Sequence, residues 1–382
     1  MRRGENVQSM SRPIRITHLI VRLDTGGAEK SLFRLIQGTQ ETLRHSVICF
    51  GSPTKIGTDI EALGTPVAWL DYRKQGPLVL WRAWRLLKAD LPDILQGWMY
   101  VGNLLASIAS IFLPASLRVA WNIRSSQENF ALEKWRTRAP ISAAKYFRPE
   151  LTIFNSHAGK RTHALLGIDR GTGVVIPNGI DLRKFRPSAQ VRERVRRELK
   201  IGDTYWIALV GRNHPVKGIG DYLASIVKLR EAGAVARFSL IGPGMQEGNA
   251  ALKNLLLEHG LDHTSVDLFG PVDDMALLFP ALDMLVLPSR REGTPNALLE
   301  AMACGVNSVA TLVGDVACIL LDESRQVPVG DSTTLAEVIS QAMPDENKDI
   351  RLKTESDHLL ANYSLEKCLT TYIEQYRLLV SP

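Results

Sequence analysis

The chain has 382 residues, of which 45% are hydrophobic and 23% charged, and its net charge at pH 7 is +6. This composition excludes a disordered or fibrous protein, and the length suits two α/β domains better than one core. The excess of base fits an anionic substrate or a membrane surface, but it is too small to predict nucleic-acid binding, and no zinc-finger spacing or aromatic-basic repeat supports that class.

The cysteines indicate the cellular compartment in which the protein folds. Four scattered cysteines form no CxxC pair, which predicts buried thiols in a reducing compartment. They are Cys49, Cys304, Cys318 and Cys368.

Because Arg15 and Arg22 interrupt the first apolar run, we do not expect a cleaved signal peptide. Residues 98–117 carry no charge and could span a bilayer, but glycine, asparagine, serines and proline dilute them, so we favour a buried helix over a membrane span.

In the first half of the chain, short apolar runs alternate with helical patterns. Alternation of this kind predicts a parallel sheet with crossover helices. The predicted strands lie at residues 14–21, 45–50, 93–98, 118–123 and 151–156, and the predicted helices at 28–37, 78–90 and 158–167.

A proline- and glycine-containing stretch at residues 171–188 predicts the connection between two domains, and a basic helix follows it at 191–200. A second alternating series then begins. Its predicted strands lie at 205–211, 236–242, 266–270, 284–289 and 307–311, and its helices at 218–233, 250–260, 274–283 and 295–305.

These patterns predict an α/β protein with two doubly wound, Rossmann-like domains that face each other across a cleft. Ligands of such sheets bind outside the carboxyl ends of the strands, so the cleft is the expected site. We place the domains at residues 1–172 and 173–345. We expect residues 346–382 to form a C-terminal helical segment that returns toward the first domain, with an amphipathic closing helix at 364–379.

The stretch "REGTPNALLEAMACG" predicts an anion site at a helix N-terminus. We expect Thr294 to cap the helix and Pro295 to occupy its first position. The free backbone N–H groups of Asn296, Ala297 and Leu298 would then favour a bound phosphate, aided by the helix dipole.

Two acids lie on either side of this predicted anion site. Glu292 precedes the helix and Glu300 lies inside it. A nucleotide sugar fits between them, because its diphosphate would meet the helix while hydroxyls on its two sugars would meet the carboxylates. The alternative is a pair of exposed glutamates near a helix start.

Two further loops follow strands of the same pattern. Arg212 and Lys217 in "GRNHPVKG" could neutralise a diphosphate leaving group, although the alternative is a pair of solvated loop cations. Gly26 and Gly27 let the backbone approach a ligand closely, although a Gly-Gly pair is also an ordinary tight turn.

The motifs "TGGAE", "VIPNGIDLRKFRP", "GRNHPVKG" and "EGTPNALLE" occur in an order that resembles glycosyltransferase family 4, over roughly residues 14–379. The resemblance implies the GT-B fold and a retaining enzyme that uses sugar nucleotides. No cofactor or metal is implied. The co-substrate would be a nucleoside-diphosphate sugar, with a UDP-sugar favoured over a GDP-sugar.

The resemblance also assigns roles. Glu292 would contact the transferred sugar, Glu300 the ribose, and Arg212 and Lys217 the diphosphate. The backbone N–H groups of Gly27, Ala297 and Leu298 would bind phosphate oxygens, with Gly26 and Asn296 beside them.

The sequence departs from the family pattern in the first domain, where several relatives carry a histidine near the reacting sugar. Here Val101, Asn122 and Arg124 occupy the stretches where one would be sought, while His157 and His163 have the pattern of ordinary surface or helix residues. Asn307 stands where proline is common, which we interpret as a tolerable loop change.

The resemblance implies transfer of a hexose or N-acetylhexosamine to a saccharide or lipid-linked glycan in the synthesis of lipopolysaccharide, exopolysaccharide or capsule. Two alternatives are a catalytically silent partner that binds nucleotide or lipid and, less favoured, a nucleotide-sugar epimerase. We expect a cytoplasmic protein, peripheral on the inner face of the cell membrane, with the basic and aromatic stretch at residues 130–150 touching anionic lipid. The basic stretch at 182–200 is expected to be a solvated helix rather than a docking surface.

Overall fold

The computed structural model describes residues 12–24, 26–125, 135–344 and 347–381, with only the backbone for 135–137. Thirteen strands and fifteen α-helices occur in this part of the chain. The strands are β1 Ile14–Ile20, β2 Leu43–Cys49, β3 Val67–Trp69, β4 Ile94–Trp98, β5 Arg118–Ile123, β6 Leu151–Phe154, β7 Gly173–Val175, β8 Tyr205–Val210, β9 Ala236–Ile241, β10 Asp267–Gly270, β11 Met284–Leu287, β12 Asn307–Thr311 and β13 Gln326–Val327. The helices are α1 Gly27–Thr39, α2 Lys55–Ala62, α3 Tyr72–Gln75, α4 Leu78–Ala89, α5 Met99–Ser110, α6 Trp135–Ala144, α7 His157–Leu165, α8 Ala189–Glu198, α9 Ile219–Glu231, α10 Ala250–Glu258, α11 Asn296–Ala303, α12 Val316–Ile319, α13 Ser332–Ala342, α14 Lys348–Tyr363 and α15 Leu365–Val380.

The first sheet has seven parallel strands in the order β3-β2-β1-β4-β5-β6-β7. One of its faces packs against α1, α2 and α15, and the other against α4, α5 and α6. The strand order reverses between β1 and β4, so a crevice opens at their carboxyl ends.

The second sheet has six parallel strands in the order β10-β9-β8-β11-β12-β13. Its strands are buried on both faces, which explains their nearly continuous apolar runs. The order reverses between β8 and β11. The predicted fold, two doubly wound parallel-sheet domains, is therefore confirmed.

The connection between the sheets differs in detail from the prediction. Gly173–Val175 pairs with β6, so the first sheet extends three residues past the predicted boundary at 172. The connecting segment then hydrogen-bonds the junction of the two last helices. The Ile180 N–H donates to the Tyr363 carbonyl, and the Ile180 carbonyl accepts from the Leu365 N–H, both at 2.8 Å.

The C-terminal segment serves both domains. Helix α14 packs against α11 of the second domain, whereas α15 crosses to the first domain and packs against α1. There Tyr372 and Tyr376 are buried, and Tyr372 accepts a hydrogen bond from Asn122 at 2.8 Å.

The structure tests three local predictions, on the uncharged stretch, on one predicted helix and on the cysteines. The uncharged stretch at 98–117 supplies β4's last residue and α5, and no helix within the described ranges is long and apolar enough to cross a membrane. Residues 274–283 form two 3₁₀ turns instead of a helix, because Pro280 has no N–H to continue one. The prediction of four buried thiols is wrong for Cys318, which is exposed, and Cys368 is only half-buried.

Candidate functional site

The carboxyl ends of β8 and β11 are neighbours, and the loops that follow them are joined to each other. Arg290 N–H in the second loop donates to the Val216 carbonyl in the first at 2.8 Å. Gly218 has a φ of +64°, and a Cβ there would lie 1.9 Å from the Pro288 carbonyl oxygen. Only glycine therefore lets these two loops approach so closely.

This approach brings Lys217 and Glu292 together. The Lys217 Nζ lies 2.6 Å from Glu292 Oε1, and the Ser289 hydroxyl donates to the same oxygen at 2.7 Å. The two side chains are only 19% and 12% exposed. A cation and a carboxylate, largely removed from water, therefore lie at the switch point of the second sheet.

Arg212 lies at the same edge but remains exposed to solvent. Its charge acts across the cleft on Glu29 of the first domain. Burial raises the pKa of that carboxyl most, and the Asp24 charge adds to the rise, while the charges of Arg22 and, more weakly, Arg212 lower it. The structure therefore places Arg212 toward the first domain, near the start of α1.

Gly26 and Gly27 begin α1 at the carboxyl end of β1. A Cβ on Gly26 would lie 2.3 Å from Glu29 Oε2, whereas a Cβ on Gly27 would meet nothing within 4 Å. The Glu29 carboxylate thus lies over the helix start where we predicted a bound phosphate. Sequence reasoning missed Glu29, although an acid in the first turn of a helix is a recognised signal of this arrangement.

The start of α11 corrects one prediction. The helix begins at Asn296, Pro295 is the N-cap residue, and Thr294 is not the cap. The Thr294 hydroxyl instead donates to the Asn155 carbonyl in the first domain. Asn178 from the connecting segment donates through Nδ2 to Asn296 Oδ1 at 2.6 Å and to the Thr294 carbonyl at 3.1 Å.

No side chain caps α11, so the N–H groups of Ala297 and Leu298 have no side-chain acceptor from the N-cap position. Ala297 is half-buried and Leu298 is fully buried. The helix start therefore retains the donors and the dipole that favour an anion.

Glu300 faces the first domain. Its Oε1 lies 3.8 Å from the Arg34 guanidinium on α1, and Arg34 also donates to the Gly179 carbonyl at 3.1 Å. Burial raises the pKa of Glu300, while the charges of Arg34 and Lys30 lower it. Arg34 was not among the predicted residues, because nothing in its local sequence distinguishes it from a helix-surface arginine.

A third residue that the sequence did not reveal, after Glu29 and Arg34, is Asp315. Its buried carboxylate accepts hydrogen bonds from the backbone N–H groups of His157 at 2.7 Å and Ala158 at 2.8 Å, at the start of α7 in the first domain. Its own N–H donates to the Gly293 carbonyl at 3.0 Å. Asp315 thus fixes the loop that carries Glu292 against the first domain.

The first-domain positions discussed for a histidine have different surroundings. Val101 is exposed in the first turn of α5, at the carboxyl end of β4. Arg124 donates to Asn122 at 3.3 Å and also bonds Asn178 of the connecting segment. His163 is buried and hydrogen-bonded to Tyr100 at 2.9 Å, and burial lowers its pKa.

The remaining expectations concern metal and two other positions. His157 is exposed at the first position of α7, and Asn307 is buried and donates to the Ala342 carbonyl at 2.8 Å. Within the ranges that the structure describes, no three His, Cys, Asp or Glu side chains are grouped so that they could hold a metal ion.

Comparison with known families adds to this geometry. Residues 25–184 match the family described as Glycosyltransferase Family 4, and residues 204–345 match Glycosyl transferases group 1. The first range contains β2 to β7 of the first sheet, the second contains every strand of the second sheet, and together they cover most of the chain.

Two curated relatives and two solved structures of one protein illustrate the likeness. The chain is 28% identical to the D-inositol 3-phosphate glycosyltransferase of Salinispora arenicola over 53% of its own length and 48% of the relative's. It is 28% identical to the 2-deoxystreptamine N-acetyl-D-glucosaminyltransferase of Streptomyces fradiae over 78% of its length and 69% of the relative's. The chain thus spans about half the length of the Salinispora relative.

Structures of HepE from Anabaena bound to UDP and to UDP-glucose superpose on 95% of this chain and 99% of theirs, each with a TM-score of 0.81. Their identity is 20% and 19%, so the likeness is one of fold. With both family matches and this architecture, the chain belongs to the family 4-like glycosyltransferases with the GT-B fold.

Proposed function

We propose that this protein transfers a hexose or N-acetylhexosamine from a nucleoside-diphosphate sugar to a saccharide or lipid-linked glycan in polysaccharide synthesis, with retention of configuration and without a metal. The observation that carries the proposal is the contact between Lys217 and Glu292 at the switch point. A carboxylate that touches sugar hydroxyls and a cation that touches diphosphate must lie side by side in such a site, because the sugar and the phosphate share one bond.

The surrounding groups support a nucleotide sugar in particular. The uncapped start of α11 offers N–H donors to a phosphate, and Arg212 adds a guanidinium at the cleft. Glu300 lies deeper and would accept hydrogen bonds from ribose hydroxyls, in place of its present contact with Arg34. The UDP and UDP-glucose complexes of HepE support uracil as the base and a hexose as the donor sugar.

In the proposed reaction, the bond between the sugar's anomeric carbon and the diphosphate oxygen breaks, and the acceptor hydroxyl attacks from the same face. The leaving diphosphate takes the hydroxyl proton, so no protein base is required. Lys217 and Arg212 would stabilise the negative charge that develops on the diphosphate. Glu292 would orient the sugar through its hydroxyls.

The acceptor side is proposed to lie in the first domain, with peripheral contact at the inner face of the cell membrane. The stretch at residues 130–150 lies partly outside the described residues. Within its described part, Tyr146 is exposed, and the Lys145 ammonium lies 5.4 Å from its ring centre. An aromatic ring beside a cation suits a lipid headgroup region.

The experiment is donor hydrolysis without acceptor, followed by transfer to candidate saccharides. We expect slow release of nucleoside diphosphate from one UDP-sugar. The Glu292→Ala variant should lose release and transfer while its affinity for the nucleoside diphosphate changes little.

Other outcomes select the alternatives. Binding without turnover, with every acceptor tried, would identify a silent nucleotide-binding partner, and recovery of an isomerised nucleotide sugar would identify an epimerase. Near-normal turnover in Glu292→Ala would refute the role of that carboxylate.

A further inference from the structure

Helix α4 of the first domain buries only one narrow stripe. Val79, Ala83 and Leu87 recur every four residues and pack against the sheet. The other positions of this 12-residue helix face outward, although many of them are apolar.

The outward residues join the end of α5 to form one apolar surface, which we call the α4–α5 surface. The indole N–H of Trp84 donates to the Phe112 carbonyl at 3.4 Å, which fixes the two elements side by side. Trp81 is 50% exposed and Phe112 67% exposed. The exposed apolar members are Leu80, Trp81, Ile108, Ile111 and Phe112, with Trp84 half-buried among them. An adjoining set of large exposed apolar side chains of this kind marks an interaction site.

Cations lie on the aromatic rings of this surface. The Arg85 guanidinium lies 4.8 Å from the centre of the Trp81 ring, and the Lys88 ammonium lies 5.1 Å from that of Trp84. Residues 72–89 carry five cations and no acid. They are Arg73, Lys74, Arg82, Arg85 and Lys88.

We propose that the α4–α5 surface binds the interface of a lipid bilayer that contains anionic headgroups. Tryptophan, leucine and phenylalanine would enter the boundary between headgroups and acyl chains, while the cations would pair with lipid phosphates. A second copy of this chain fits less well, because pairing the same face would bring five cations from each copy together without an acid between them.

The position of this surface is compatible with an open cleft. Helix α5 begins at the carboxyl end of β4, so its last residues lie at the opposite edge of the first sheet. Phe112 is therefore on the side of the domain away from the site at the strand ends. A docked protein would keep its cleft accessible, and the binding does not depend on the sugar transfer proposed above.

The test is flotation of the full chain with two kinds of vesicle, one of phosphatidylcholine alone and one with about three parts in ten phosphatidylglycerol. We expect the protein to float with the anionic vesicles. The pair Trp81→Ser with Phe112→Ser and the pair Arg85→Glu with Lys88→Glu should each lower the partition coefficient at least about tenfold. All four side chains are exposed, so these variants should fold, as measured by urea unfolding.

Matched controls lie elsewhere on the chain. Leu165→Ser removes an apolar side chain that is 89% exposed, and Arg194→Glu with Arg197→Glu reverses two exposed cations of α8. Both controls should float like the parent protein, and release of nucleoside diphosphate from the donor should be unchanged in every variant.

Three results would overturn the proposal. One is recovery of the parent protein in the soluble fraction with anionic vesicles. Another is a dimer in solution that Trp81→Ser with Phe112→Ser dissociates, which would assign the surface to a second copy. Equal loss of flotation in the α8 control would likewise overturn it, because binding would then follow total charge.

Discussion

Replacing Lys217 by methionine separates the two consequences of its contact with Glu292. Methionine keeps most of the length of the lysine side chain but lacks its terminal ammonium, so it leaves the Glu292 carboxylate with Ser289 as its hydroxyl donor and without this cation. Both the stability of the second domain and the proposed transfer should change, each for its own reason.

The magnitudes follow from burial and distance. Removing one partner of a buried ion pair costs about 3–5 kcal/mol. Because Lys217 and Glu292 are 19% and 12% exposed and Ser289 still donates to the carboxylate, we expect the free energy of unfolding to fall by about 2–3 kcal/mol. Loss of a cation that stabilises the leaving diphosphate should lower kcat/KM about 10²- to 10³-fold.

The assay is a double-mutant cycle with Lys217→Met, Glu292→Gln and their combination. Urea unfolding measures stability, and transfer from the preferred donor measures kcat/KM. The double variant removes both charges, so it should regain at least about 1 kcal/mol relative to the sum of the single variants. Transfer should not recover. Lys228→Met, on an exposed position of α9, is the matched control and should leave both quantities nearly unchanged.

Two results would refute this reasoning. If Lys217→Met kept kcat/KM within about threefold of the parent, Lys217 would not stabilise the leaving group. If the double variant recovered transfer together with stability, the role of the pair would be structural alone.

Two further predictions concern groups outside this pair. Asp315→Asn removes the negative charge at the start of α7, so it should lower the free energy of unfolding by about 1–2 kcal/mol. Hydrogen exchange at the His157 and Ala158 amides should become faster for the same reason. Unchanged exchange at those amides would contradict this prediction. Burial lowers the pKa of His45 from its usual 6.5 to about 4, so the unfolded chain binds the extra proton first as the pH falls. Stability should therefore fall between about pH 6.5 and pH 4, by about 3 kcal/mol for this group. The pH slope of urea unfolding should flatten in His45→Gln but not in the exposed control His263→Gln, and equal slopes in the two variants would contradict this.

The sequence predicted most strands and the doubly wound architecture, because a buried parallel strand is a short apolar run between turn residues. It failed where that signal was absent. Helix α14 lies in the predicted C-terminal helical segment, but it is mostly polar and no apolar periodicity indicated where it begins and ends. It packs through an ion-pair network in which Glu355 lies 3.0 Å from Arg325 and 2.9 Å from Arg351. The pair with Arg351 is an i, i+4 contact inside the helix, whereas the pair with Arg325 joins residues 30 positions apart and leaves no periodic pattern in the sequence.

The same division applies to the candidate site. Local sequence was enough to predict the loops after β8 and β11 and the residue types that suit a diphosphate and a sugar. It could not show that Lys217 touches Glu292, which is 75 residues away along the chain. Nor could it show that Arg34 meets Glu300, or that Asp315 holds the start of α7. Helix and strand formation depends on neighbours within a few residues, whereas these contacts depend on how two sheets pack against each other, and only the tertiary structure determines that.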